Sequence, residues 1–179
     1  SHNISESLYN IGLNVCFINY EDLKKFEHNA QKRVFILGPG PGQPADYDFI
    51  MDKFLRDEFC HPNNYFLGIC LGHQILLRYL GFKLKNRVIP KHGQCREIEI
   101  PNWPNVFGIH NESRKTFVQE YNSFYVEPCR EIENVMTSSD SGEIIMATAS
   151  NFTSFQFHPE SVGTSSPNLF FGFIKEIFK

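Results

Sequence analysis

The sequence predicts an α/β domain whose first half builds a mainly parallel sheet and whose second half adds a smaller antiparallel part. Three observations carry this expectation. Apolar runs of strand length alternate with helix-period segments up to residue 80, two of those runs end on glycine-rich turns, and a series of short strand candidates follows. Taken in order, residues 3–12 read as a helix, 15–19 as a strand, 33–37 as a strand, 45–59 as a helix and 65–69 as a strand, with a helix-capable stretch at 74–80. Short strands are then expected at 82–84, 96–100, 116–120, 134–137, 144–149 and 154–157, a loop at 161–167 and a closing helix at 168–178.

At 179 residues and 41% hydrophobic, the chain suits one compact domain, 1–179, with a sizeable core. Its 18 phenylalanines are expected to serve mainly as packing, a reading preferred to a partner-binding surface because exposed aromatic patches are the exception. A net charge of −3 without a basic stripe argues against nucleic acid as the main partner. No run approaches the length of a membrane span, so no membrane role is expected. Five cysteines, at 16, 60, 70, 95 and 129, form no Cys-x-x-Cys pair and are odd in number, which points to reduced thiols and a cytoplasmic location. Cys60-His61 and His92 with Cys95 lack zinc-finger spacing, so no metal is expected.

Three segments carry chemistry. In Tyr65-Phe66-Leu67-Gly68-Ile69-Cys70-Leu71-Gly72-His73-Gln74 an apolar strand turns into a helix, and Cys70 falls at the turn. Glycines 68 and 72 allow a tight bend, and the helix N-terminus favours a thiolate there. Alone, such a cysteine reads as a small buried hydrophobe. In Ser154-Phe155-Gln156-Phe157-His158-Pro159-Glu160-Ser161 the alternation of an extended chain puts His158 and Glu160 on one side, so that the carboxylate holds the imidazole. Together the two segments supply a nucleophile, a base and an orienting group. The third, Gly38-Pro39-Gly40-Pro41-Gly42-Gln43-Pro44 after an apolar strand, offers bare N–H groups suited to an oxyanion. It lacks the Gly-Lys-Ser/Thr and Gly-x-Gly-x-x-Gly patterns of phosphate loops.

In order and spacing these three motifs resemble the class I (triad) glutamine amidotransferases over nearly the whole chain. The Pro-Gly-Pro-Gly-x-Pro loop, Lys91-His92-Gly93 and Tyr121-Asn122-Ser123-Phe124 are similar to the glutaminase component of anthranilate and aminodeoxychorismate synthases. The resemblance implies a three-layer, flavodoxin-like fold. It also implies hydrolysis of L-glutamine by Cys70, His158 and Glu160, with the backbone N–H groups of Gly40 and Leu71 as oxyanion hole. Gly42, Gln74, Ser123 and Phe124 would hold the substrate's amino-acid end. The implied partner is a chorismate-using synthase that receives the ammonia. No cofactor is implied for this domain, and magnesium only for the synthase.

Asn122 stands where the subgroup commonly has histidine, a change expected to alter local packing more than catalysis. His73 and His92 are expected to support loop geometry. Family members open with a hydrophobic strand and an Asp-x-x-Asp-Ser-Phe segment ahead of the position of Ser1-His2-Asn3. The first strand is therefore expected to be absent from this chain, which would either start upstream or be cut from a fused polypeptide. Other acceptors remain open: nucleotide (GMP synthase), carbamoyl phosphate or aminodeoxyisochorismate chemistry, a stand-alone γ-glutamyl hydrolase, or a scaffold with a dead site.

Overall fold

The computed structural model describes residues 2–27, 31–129, 131, 134–137 and 141–179. The first elements are α1 (His2–Asn10), a 3₁₀ turn at Tyr20–Lys25, β1 (Arg33–Leu37), a second 3₁₀ turn at Pro44–Tyr47, α2 (Asp48–Glu58), β2 (Asn64–Ile69) and α3 (Leu71–Tyr79). There follow β3 (Lys83–Asn86), β4 (Gln94–Ile100), α4 (Pro104–Phe107), β5 (Arg114–Glu120) and β6 (Phe124–Glu127). The chain continues with β7 (Asn134–Thr137), β8 (Ile144–Ala149), β9 (Phe152–Phe155), α5 (Pro167–Phe171) and α6 (Ile174–Ile177).

The central sheet runs β1-β2-β9-β8-β7, and β3/β6 and β4/β5 form two antiparallel ribbons. β1, β2 and β9 are parallel, β8 is antiparallel to both its neighbours, and β7 therefore points the same way as β9. The expected α/β class, with a mostly parallel sheet and a smaller antiparallel part, is what the chain adopts. Core residues divide between the two faces of this sheet. On one face Leu67, Ile69, Phe155 and Phe157 pack with Ile4 and Leu8 of α1 and with Phe170, Phe171 and Ile174. On the other, Phe66, Phe152 and Ile144 pack with Phe54 and Leu55 of α2 and Leu76 and Leu77 of α3. The result is three layers, helices on both sides of a sheet.

Aromatic packing fills both layers. Phe66, Phe152, Phe155, Phe157, Phe170 and Phe171 are all essentially inaccessible, and each contributes roughly 1.5–3 kcal/mol through burial. Edge-to-face and stacked pairs, such as Phe35 on Phe66 at 5.1 Å and Phe157 on Phe170 at 5.1 Å, continue the pattern. Packing thus accounts for most of the phenylalanines, while Phe17, Phe49, Phe117 and Phe178 are exposed.

Several expectations need correction. Residues 15–19 form no strand: the segment is irregular, with Val15, Phe17 and Ile18 exposed. Alternation cannot make a strand without a neighbour to share hydrogen bonds, and among the described residues no strand pairs with this segment. The helix expected at 45–59 divides into a 3₁₀ turn and α2, and the one at 168–178 into α5 and α6. The last strand ends at Phe155 instead of 157, because its pairing with β2 stops at Ile69↔Phe155. β6 and α4 were not anticipated; β6 follows directly on the Tyr121-Asn122-Ser123 segment.

The register places the site. Leu37 lies opposite Gly68 and Ile69 opposite Phe155, so β1, β2 and β9 end at the same level. The 38–44 loop, Cys70 and the 156–160 segment therefore emerge together beyond the carboxyl ends of parallel strands, where ligands meet such sheets.

Candidate active site

Cys70 is a non-glycine residue with left-handed backbone, φ 53° and ψ −101°, a conformation costing about 1–3 kcal/mol that its surroundings must impose. Cys70 N–H donates to Phe155 O at 2.8 Å, and its carbonyl accepts from Gln74 N–H at 3.2 Å, joining the sheet to the first turn of α3. Close approach at both flanks requires glycine. A β-carbon at Gly68 would sit 2.8 Å from the Gly72 carbonyl, and one at Gly72 would collide with the Leu37 carbonyl. The elbow is thus pressed against the end of β1, and Leu71 becomes the first helical residue, whose N–H has no place in the helical ladder.

The 38–44 loop reaches the same place. A β-carbon on Gly40 would lie 3.0 Å from Leu71 Cδ2, which puts these two residues side by side. The loop is fastened from outside: Tyr47 Oη donates to Pro41 O at 2.8 Å, and Gln43 N–H donates to Asp46 Oδ2 at 2.9 Å. Gly42, at φ 77°, turns the chain into that Asp46 cap.

His158 Nδ1 meets Glu160 Oε1 at 2.8 Å, both side chains largely covered. The pair forms in a turn after β9, not along an extended strand: His158 bridges to Gln119, and Ser161 N–H returns to His158 O at 3.2 Å. The other ring nitrogen, Nε2, is buried without a formed hydrogen bond and faces Cys70. Burial opposes a charged imidazole here, but the Cys70 sulfur and the Glu160 carboxylate outweigh it and push the His158 pKa up to about 9. Tyr121 stands edge-on to the His158 ring at 5.2 Å.

Gln74 is buried, and its Nε2 donates to Phe124 O at 3.2 Å and to Gln156 Oε1 at 3.0 Å. Asn122 Nδ2 donates to the same Phe124 carbonyl at 2.7 Å, so the residue found in place of histidine braces the local backbone. Ser123 O accepts from Arg87 N–H at 2.8 Å. Two buried groups of the site region carry no motif mark in the sequence. Gln156 is one, and Glu120, at a buried position of β5, is the other. The signal for Glu120 was its register with Thr116 and Val118, where a charge implies a buried partner. His92 is exposed, and Cys60 and Cys95 are separate exposed thiols. Among the described residues no three His, Cys, Asp or Glu side chains cluster as a metal site would need. The depression lined by Asp48, Asp52, Arg56, Arg78 and Tyr79 shares none of the Cys70 constellation.

His73 supports the elbow from beneath, as expected. It is fully buried, with Nδ1 2.9 Å from Ser154 Oγ and Nε2 3.2 Å from Ile144 O. The carbonyl requires an Nε2–H, so Nδ1 accepts from the serine hydroxyl. Burial lowers the His73 pKa to about 3, against a smaller opposing effect of the Ile144 carbonyl. The unfolded chain therefore binds a proton near pH 6.5 that the folded chain refuses, and stability falls as pH drops from about 6.5 to 3, about tenfold in the folding constant per unit. Urea unfolding across that range should show a shallower acid loss in His73→Asn than in the parent; equal slopes would refute the assignment.

A strained cysteine elbow, a histidine–carboxylate pair and a glycine loop thus stand together beyond the ends of parallel strands, the parts that a covalent cysteine mechanism would need. The model of the family "Glutamine amidotransferase class-I" matches residues 1–177, and the chain belongs to that family. The chain is 28% identical over 166 residues to "Anthranilate synthase, phenazine specific" of Pseudomonas chlororaphis, covering 90% of this chain and 25% of that protein. It is 28% identical over 188 residues to "Putative aminodeoxychorismate synthase" of Schizosaccharomyces pombe, covering 91% and 23%. The chain thus spans about a quarter of the length of these relatives. The crystal structure of a GMP synthase-like protein from Thermoplasma acidophilum superposes with a TM-score of 0.77 at 17% identity, over 99% of this chain and 87% of that one, which is likeness of fold. Among the described residues no helix is long and apolar enough to cross a membrane.

Proposed function

We propose that this domain splits L-glutamine and passes the ammonia to a chorismate-using synthase. The observation that carries the first half is the His158–Glu160 pair with the second ring nitrogen, Nε2, turned to Cys70. Cys70 Sγ attacks the carboxamide carbon, and the oxyanion settles on the N–H groups of Leu71 and Gly40. His158 gives its proton to the departing ammonia, leaving a glutamyl thioester. It then takes a proton from water, whose oxygen attacks the thioester carbon and releases glutamate and the Cys70 sulfur. Glu160 fixes the imidazole throughout. Gln74 and the backbone of Gly42, Ser123 and Phe124 form the end that receives the substrate's α-amino and carboxylate groups.

The second half rests on the anthranilate and aminodeoxychorismate synthase names of the relatives and on the rim of the site. Val88, Ile89 and Val162 are almost bare, and Tyr121 is half-exposed. The first two lie in the loop held to 122–123 by Arg87 and Lys91 N–H groups, and Val162 follows Glu160 by two residues. Bare apolar side chains in segments adjoining the site residues suit a protein partner better than a free-standing hydrolase.

Val162→Asp should leave glutamine hydrolysis without partner unchanged and reduce its stimulation by synthase plus chorismate about tenfold or more, since a buried unpaired charge costs an interface several kcal/mol. Steady-state glutamate release, with and without synthase, measures both. Full turnover by the chain alone, indifferent to synthase and chorismate, would rule the coupling out and favour a hydrolase or another acceptor.

A further inference from the structure

We propose that Gln119 is a positioning residue for the His158–Glu160 pair, acting through the 161–164 turn; the inference rests on the proposed role of that pair in glutamine hydrolysis. Gln119 lies on the half-exposed face of β5, and both its backbone and its side chain hold the segment that carries the pair. His158 N–H donates to Gln119 O at 2.8 Å. Gln119 N–H donates to Thr164 Oγ1 at 3.1 Å, and that hydroxyl donates to His158 O at 2.6 Å. The carboxamide oxygen accepts from Ser161 Oγ and from Gly163 N–H, the latter at 3.2 Å. Its nitrogen donates to Gly93 O at 3.4 Å, on the loop whose glycine packs against Tyr121.

One side chain therefore closes the turn on the far side of Glu160 and ties it to the loop behind Tyr121, whose ring edges onto His158. Gly163 sits so close that a β-carbon there would collide with the carboxamide, so the fit is specific to this pair of residues. An amide is needed because one end must accept from two donors while the other end donates. Leucine matches the size and can do neither. Without the carboxamide, the 161–163 part of the turn keeps only its backbone ties and can shift, and Glu160 with it. A displacement of even an ångström in an oriented base is enough to slow an attack that depends on alignment.

The test uses the whole natural protein. Gln119→Leu should lower kcat for glutamine about tenfold to a hundredfold with KM within twofold of the parent, because the groups assigned to substrate binding are untouched. The NMR titration midpoint of His158 should fall from about 9 as its contact with Glu160 loosens. A merely structural role would lower thermal stability and leave both readings where they were, and that result overturns the proposal. If Gln119→Leu does not yield folded protein, Ser161→Ala, which removes one of the two donors to the carboxamide oxygen, is read on the same quantities, with a smaller drop expected and parental values overturning the proposal. His158→Ala is measured alongside: if it retains glutaminase activity, the assignment of the pair fails; if it is inactive while Gln119→Leu matches the parent, only the positioning role fails.

Discussion

Replacing Cys70 by alanine is expected to lower glutamine hydrolysis by a factor on the order of 10⁴ or more, since loss of a covalent nucleophile removes the whole thioester route. Glutamate release in a coupled assay measures it, and a glutamine-mimicking chloroketone should label the parent at residue 70 and leave the variant unmodified. A variant keeping more than a few per cent of parental turnover would remove Cys70 from the mechanism. The same substitution reports on His158. The sulfur is the largest of the influences that raise the imidazole to about 9, so without it the midpoint should move down. Stability follows in sign: a histidine raised above its unfolded value of about 6.5 supports the fold fully below that pH and stops doing so as pH climbs through about 9. The parent should lose stability over that alkaline range, and Cys70→Ala should lose less.

Glu143→Leu is expected to cost about 3–5 kcal/mol of folding free energy, the usual penalty for removing one member of a buried ion cluster. Glu143 is wholly buried and pairs with Arg87 and, at 3.0 Å, with Lys91 Nζ. Lys91 also meets Glu120 at 2.7 Å, and Glu120 meets Arg96 at 3.1 Å, so two acidic groups hold three basic ones. Burial lowers the Lys91 pKa, with Glu120 working in the opposite direction. Remove Glu143 and the surrounding cations keep their charge in a site with half the compensation. Against a typical domain stability of about 5–15 kcal/mol this loss is large. Urea denaturation with an unchanged m-value measures it; a change under about 1 kcal/mol would mean that water already reaches the cluster.

The contrast between these two positions explains what could be read from the sequence. The placing of Cys70, His158, Glu160 and Gly40 was legible because the chemistry proposed for them needs local backbone features that leave marks: a glycine on each side of the elbow, a proline after the histidine, a loop of alternating glycine and proline. The parallel part of the sheet was legible for a related reason, since strands buried on both faces read as continuous apolar runs such as Val34 to Leu37. Glu143, Gln119 and Gln156 were not legible. Each is defined by what lies across from it, in contacts spanning tens of residues, and nothing near it in the chain announces a partner. The mistaken strand at 15–19 has the same cause, because alternation records a preference and pairing decides the outcome. The early end of β9 is another case: Gln156 and Phe157 keep the alternation, yet the chain leaves the ladder to bring His158 against Gln119.

The place of β9 sets an order of events during synthesis. Among the described residues it is the last strand in chain order, and it lies in the middle of the sheet, between β2 and β8. The β1–β2 pair can form early from neighbours in sequence, but the slot beside β2 stays open until residues 152–155 arrive, a long loop closure of the kind that folds slowly. Cys70 leaves the ribosome nearly ninety residues before His158. During that interval the thiol has neither the His158 imidazole beside it nor the Phe155 carbonyl that helps hold its backbone in the left-handed turn. The growing chain therefore carries Cys70 without the contacts of its elbow. On the proposed mechanism it becomes a nucleophile only when β9 closes the gap between β2 and β8, so an unfinished copy should not split glutamine.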